Sequence, residues 1–247
     1  MLCEGKVAVV TGSAGRGMGR SIALTLAREG ANVVVNYRTS QQSATEVVEH
    51  IRRRYGAAIA VEADVFEAAG CRRLIDRATD QFGQVDICVV GPGAGWHPEG
   101  PKEVAAADAL DDVRREVAPL FQLMPLVLPG MYERRWGRLI GIALLTPYSA
   151  PAYSYNVAKA ARAQGMLLAS QEAWQNGVTV NVVGPGPISE IASLQEAVEQ
   201  CDHGPAWWSR ATASPQDIAE GIAFLCSEAG RFVTGCELPY PYRAPVG

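Results

Sequence analysis

Tyr155 and Lys159, in the stretch "YNVAKAARA", stand four positions apart and would share one face of a helix. A free tyrosine ionises at about pH 10, and an ammonium held beside it favours the phenolate, bringing proton transfer within reach at neutral pH. Tyr155 is therefore expected to act as acid or base, with Lys159 as its tuner. The chain holds three lysines, Lys6, Lys102 and Lys159, against 19 arginines, so a lysine is not its default choice for a solvated face.

A second unit follows the apolar run "KVAVV". In "TGSAGRGMGR", Gly12, Gly15, Gly17 and Gly19 crowd the entrance to a helical pattern. Glycines there let backbone N–H groups approach a pyrophosphate at the positive end of the helix dipole. A ligand-free glycine turn is the plainer alternative, and the strand-turn-helix context favours a dinucleotide.

About 20 residues further on, where an NAD site places a carboxylate for the ribose hydroxyls, stands "NYRTS". Asn36 and Arg38 occupy this position, and the Arg38 guanidinium can fork onto a 2′-phosphate that a carboxylate would repel. NADP(H) is the expected cofactor. Arg16, inside the glycine turn, either adds a second charge to that phosphate or is a solvated loop residue.

These units need a scaffold. Short β-branched runs alternate with helix-period segments: "KVAVVTG", "ANVVVNY", "AAIAVEAD", "VDICVVG", "GRLIGIAL" and "GVTVNVVG" are separated by amphipathic stretches such as "SATEVVEHIRRRYG". A long helix is expected from about Asp108 to Arg135 and another from about Ala152 to Gln175. Such alternation predicts parallel strands with right-handed crossovers: an α/β, Rossmann-like doubly wound parallel sheet, a three-layer α/β/α single domain over 1–247. The segment 189–213 breaks the alternation and reads as a substrate flap containing Trp207 and Trp208.

Composition narrows the function. The 247 residues carry 22 basic and 26 acidic side chains, net −4, with the basic ones scattered, so no footprint for nucleic acid or an anionic membrane is present. No run of about 18 apolar residues occurs, and the six cysteines show no CxxC spacing. The expectation is a cytoplasmic protein acting on a small molecule. Cys201-Asp202-His203 are three adjacent residues with no distant partner, a poor metal set, so no metal site is assigned.

With the glycine turn, "NYR", "EADV" at 62–65, Tyr155-x-x-x-Lys159 and "NVVGPGPI" at 181–188 in order, the chain resembles the short-chain dehydrogenase/reductase family over nearly its whole length. The resemblance implies Asp64 and Val65 beside the adenine, Gly91 along the cofactor, Pro185, Gly186 and Ile188 around the nicotinamide, and a homodimer or homotetramer built through the long helices.

The departures are as informative. "VGPGAG" at 90–95 lacks the family's paired asparagines, and a backbone-rich substitute is expected. The family's structural asparagine falls on Glu116, which could still hold water but adds a negative charge. Its catalytic serine falls on Ala143 or Leu144, so the carbonyl-polarising hydroxyl is gone, a loss typically worth about 3 kcal/mol. Thr146 is the best replacement, ahead of Tyr148, Ser149 and His97. Pro119 and Pro125 are expected to kink the long helix or to remove hydrogen bonds from it. The leading expectation is an NADP(H)-dependent oxidoreductase of a carbonyl or other C=X group, of low or atypical activity. The alternatives are an impaired family member that binds nucleotide or a partner, and non-redox chemistry on the same scaffold, against which the glycine turn and Arg38 argue.

Overall fold

In the computed structural model the described residues are 1–144, 152–206 and 210–241. Strands and helices alternate as β1 (Val7–Val10), α1 (Met18–Arg28), β2 (Asn32–Tyr37), α2 (Gln41–Arg54), β3 (Ala58–Glu62), α3 (Ala68–Phe82), β4 (Ile87–Val90), α4 (Ala106–Glu133), β5 (Gly137–Ile142), α5 (Tyr153–Gln175) and β6 (Val178–Pro185). Helices α6 (Leu194–His203) and α7 (Pro215–Cys226) and the strand β7 (Glu237–Tyr240) complete them. The seven strands lie in the order β3-β2-β1-β4-β5-β6-β7, every pair parallel. Strand order reverses between β1 and β4, and ligands of open α/β sheets bind beyond the carboxyl ends of the strands at such a point.

Both sheet faces are buried, which explains why the strands are almost wholly apolar. Ala8, Val10, Val33, Val35 and Ile140 meet Ile22, Leu26, Ile51 and Ile222 on one face. Their strand neighbours Val9, Val34, Val90 and Leu139 meet Leu74, Leu120, Leu123 and Met166 on the other. The period of two along each strand divides the residues between the two layers.

α4 continues as one helix through Pro119, Pro125 and Pro129, two residues earlier at each end than expected. Each proline deletes one N–H, and the buried row Leu120, Leu123, Val127 and Met131 holds the helix to the sheet regardless. The segment 189–213 carries a helix of its own. Ser193 caps α6 by accepting the N–H of Glu196, Cys201 is buried, and its carbonyl accepts from Arg28 of α1. Ile188 and Ala213 pair as a bridge at the base of the segment. Trp207 and Trp208 lie outside the described residues. No described helix is long and apolar enough to cross a membrane.

Candidate functional site

At the carboxyl edge of the sheet the glycine turn connects β1 to α1. Gly12 adopts φ +62°, and a Cβ on it would come within 2.8 Å of Pro92; a Cβ on Gly19 would come within 2.5 Å of the Gly12 carbonyl. Thr11 pins the turn to β4, its hydroxyl donating to Val89 O (2.9 Å) and accepting the Gly91 N–H (2.9 Å). A cleft of about 340 Å³ opens beside it, lined by Gly12, Gly15, Asn36, Arg38, Asp64 and Val65 among others. An adjoining one of about 180 Å³ is lined by Gly17, Gly19, Gly91 and Ile142 among others. Gly17 is the N-cap of α1 and leads its free N–H groups toward this space. These side chains and backbone groups fit a dinucleotide laid across β1 and β4.

Within that cleft the residues divide the work differently from expectation. Asn36 borders it, but its amide is consumed by the protein: Oδ1 accepts the Gly12 N–H (3.0 Å) and Nδ2 donates to the carbonyls of Ala63 (3.0 Å) and Val61 (3.3 Å). Asn36 holds the turn in place. Arg38 is 58% exposed and lies 3.6 Å from Asp64, leaving its guanidinium open to a phosphate. Arg16 is exposed on the turn. Arg20, which carried no signal in the sequence, is buried in α1 and donates to Ala14 O (3.3 Å), bracing the turn from beneath.

Farther along the same edge, Pro185 ends β6. Gly186 donates its N–H to Tyr240 O (2.9 Å), and Ile188 packs partly against the core. Ala143 follows β5 and is buried, its N–H bonded to Val183 O (2.9 Å). No hydroxyl stands at Ala143 or Leu144, while Thr146, Tyr148 and Ser149 lie outside the described residues.

Tyr155 and Lys159 do share a face of α5, with Nζ 5.3 Å from the centre of the Tyr155 ring. The ammonium, however, is spent elsewhere. Nζ lies 2.9 Å from Oε1 of Glu116, and Nε of Arg162 lies 2.8 Å from the same oxygen. Glu116 and Arg162 are fully buried. Oε2 of Glu116 accepts the Ala94 N–H (2.8 Å), so the added negative charge of this carboxylate is met by two cations and an amide. Arg162 donates to the carbonyls of Glu116 (2.9 Å), Gly91 (3.0 Å) and Ile142 (2.9 Å), and also to Pro92. The brace expected from backbone groups after β4 is thus supplied by a guanidinium.

The expected tuning of Tyr155 is corrected on these grounds. Burial, and after it the Glu116 carboxylate, push the phenol up to about 12, with Arg162 opposing. Burial pulls Lys159 below its ordinary value, against the pull of Glu116.

His97 is likewise engaged, its Nε2 2.7 Å from Asp112 Oδ2 and its Nδ1 3.9 Å from Glu99. Glu99 accepts the Ser154 N–H (3.2 Å) and hydroxyl, and its own carbonyl accepts from Tyr153 (3.0 Å), stitching the loop after β4 to the start of α5. Neither Glu99 nor Ser154 carried a sequence signal. Asp202 accepts from the Tyr55 hydroxyl (2.6 Å) and pairs with Arg54 (3.1 Å), and the Cys201 thiol meets Thr25 (3.8 Å). Among the described residues no group of three side chains could hold a metal.

Residues 12–240 match a family model described as enoyl-(acyl carrier protein) reductase. An uncharacterised oxidoreductase of Methylorubrum extorquens is 36% identical over 94% of each chain. A 3-oxoacyl-[acyl-carrier-protein] reductase of Staphylococcus epidermidis is 32% identical over 93% of this chain and 95% of its own. Among solved structures, a 7α-hydroxysteroid dehydrogenase complexed with NADH and 7-oxo glycochenodeoxycholic acid superposes with a TM-score of 0.84 at 29% identity, covering 99% of this chain and 96% of its own.

Proposed function

The chain belongs to the short-chain dehydrogenase/reductase family, and from that premise we propose that it is an NADP(H)-dependent oxidoreductase of a carbonyl or other C=X group. What supports this reading is the glycine-lined cleft with an open Arg38, together with the link from that cleft to α5: Glu116 lies against Gly93 of the cleft and pairs with Lys159, whose Nζ is 5.3 Å from the centre of the Tyr155 ring. The cofactor, when bound, supplies hydride chemistry. The glycine turn and the N-terminus of α1 hold its pyrophosphate, Arg38 takes the 2′-phosphate with Arg16 free to assist, and Asp64 and Val65 border the adenine. Gly91, Pro185, Gly186 and Ile188 shape the nicotinamide end. Tyr155 moves the proton at the substrate oxygen, and the segment 189–213 excludes water from the substrate.

The missing hydroxyl at Ala143 and Leu144 makes ordinary ketones slow substrates unless Thr146 supplies it. The same absence supports the second reading, an impaired member that binds nucleotide or a partner. We further place the protein in the cytoplasm as a homodimer or homotetramer of single-domain subunits.

Titration with NADPH and NADH, followed by nicotinamide fluorescence, tests the cofactor assignment. NADPH should bind at least about tenfold more tightly, the worth of roughly one charge-assisted pair, and Arg38→Ala should remove most of that margin. Equal affinities in the unmutated protein overturn it. Screening carbonyl compounds for loss of nicotinamide absorbance then separates the two readings: turnover abolished by Tyr155→Phe supports an enzyme, and NADPH binding without any turnover supports the binding protein.

A further inference from the structure

The helix that carries Tyr155 begins without a cap of its own. α5 starts at Tyr153 and its N-cap is Ala152, which has no side-chain oxygen to offer the first N–H groups, and those groups find no acceptor inside a helix. Glu99, from the loop after β4, supplies acceptors for the first two. Its carbonyl accepts the Tyr153 N–H (3.0 Å), and Oε1 of its carboxylate accepts the Ser154 N–H (3.2 Å) together with the Ser154 hydroxyl. The backbones of Glu99 and Ala152 pair as a parallel bridge at the same point. The carboxylate also brings a negative charge to the positive end of the α5 dipole. Ser154 is 2% exposed and the Glu99 side chain 16%, so the clamp is shielded from water. The loop is held on its other side by α4, where Nε2 of His97 lies 2.7 Å from Oδ2 of Asp112.

Resting on the reading of Tyr155 as the proton-transfer group, we propose that Glu99 is a positioning residue: by capping α5 from outside the helix it fixes the first turn, and with it the place of the Tyr155 phenol. Tyr155 directly follows Ser154 and is the third residue of α5. From Lys159 onward the helix is held to α4, because Lys159 and Arg162 both reach Oε1 of Glu116 at 2.9 and 2.8 Å. Tyr155 lies upstream of that anchorage, on the turn that frays first when a helix end is left uncapped. It therefore stands between two anchors, Ser154 on Glu99 and Lys159 on Glu116. Proton transfer demands that donor and acceptor lie within hydrogen-bond reach, and a misplacement of about 1 Å can cost on the order of a hundredfold in rate. Glu99 serves the reaction through this placement and touches neither substrate nor cofactor.

The test reads the position of Tyr155 without cofactor or substrate. In protein labelled with 13C at the tyrosine rings, the Tyr155 signal, identified by its loss in Tyr155→Phe, should shift in Glu99→Leu, which removes the acceptor at nearly constant size. It should return in Glu99→Gln, which keeps an acceptor oxygen. Amide hydrogen exchange should show Ser154 and Tyr155 opening at least about fivefold faster in Glu99→Leu, the worth of one helix cap, with Met166 and Ser170 farther along α5 unchanged. A Tyr155 signal that stays in place in Glu99→Leu overturns the proposal even if the amides open, because the cap would then be structural alone; a shift that Glu99→Gln fails to reverse overturns it too. If Glu99→Leu does not fold, Ser154→Ala removes the hydroxyl half of the clamp, and a shifted or unshifted Tyr155 ring decides in the same way. On a carbonyl substrate found by the screen, Glu99→Leu should lower kcat at least about tenfold and leave the NADPH Kd within about twofold; a loss confined to NADPH binding overturns the proposal. Absence of turnover in the unmutated protein would remove the functional reading alone, and the ring signal would still decide whether Glu99 places Tyr155.

Discussion

Arg162 shows how a decisive residue can hide in a sequence. Arginine is a good helix former and usually sits in solvent, so in "AKAARAQG" it passes for surface. Its position gives it away, since it lies three residues after Lys159 and seven after Tyr155, on the face that must be buried if those two are to reach the site. Its partner Glu116 is 46 residues earlier, and a buried carboxylate shared by Lys159 and Arg162 could not be read from Tyr155 and Lys159 alone. Glu116 and Arg162 should depend on each other energetically. Arg162→Leu leaves a buried carboxylate with Lys159 and the Ala94 N–H, and leaves the carbonyls of Gly91 and Ile142 without their guanidinium donor, a defect costing roughly 3–5 kcal/mol. Adding Glu116→Asn to Arg162→Leu should recover part of that loss, giving a coupling above about 1 kcal/mol in urea unfolding. Additive losses would mean that the two side chains are not a unit.

The glycine turn and the strands were legible because they depend on local rules. Positive φ demands glycine, alternating apolar runs demand strands, and both appear where expected, at Gly12 and from β1 to β6. The loop after β4 was not legible in this way. "GPGAG" resembles an ordinary turn, yet Gly93 is the point at which Glu116 meets the backbone: a Cβ there would lie 2.0 Å from Oε2. The carboxylate cannot retreat, because Lys159, Arg162 and the Ala94 N–H fix it. Gly93→Ala should therefore cost about 2 kcal/mol, within the range for an overpacked interior. It should also weaken NADPH binding, since Gly93 lines the cleft proposed to hold the nucleotide. Thermal unfolding and the nicotinamide titration read the two effects, and a variant of unchanged melting temperature would show that Glu116 has room to move.

For the whole molecule, the doubly wound parallel sheet followed from the βαβ alternation, and the apolar residues left on the surface raise the question of assembly. Leu110 and Phe121 on α4 are 11 residues apart, as are Val157 and Leu168 on α5, and 11 residues make about three helical turns. Each pair therefore points one way, and all four are exposed, Phe121 at 56% and Leu168 at 57%. The helices pack side by side, so the two rows lie on neighbouring helices and form a larger apolar surface than scattered leucines would. Two copies joined across a twofold axis would bury both rows at once, as an isologous contact requires. The unmutated protein should behave in light scattering as a multiple of the 26.4 kDa chain. Phe121→Glu with Leu168→Glu should shift it toward a single chain while leaving the far-UV circular dichroism unchanged, because neither side chain belongs to the core. Trp174 and Phe232, in edge contact at 5.6 Å, form a second exposed pair away from these rows. If the double variant halves a tetramer to a dimer, that pair is the next surface to charge. A single chain before any mutation would rule out the assembly.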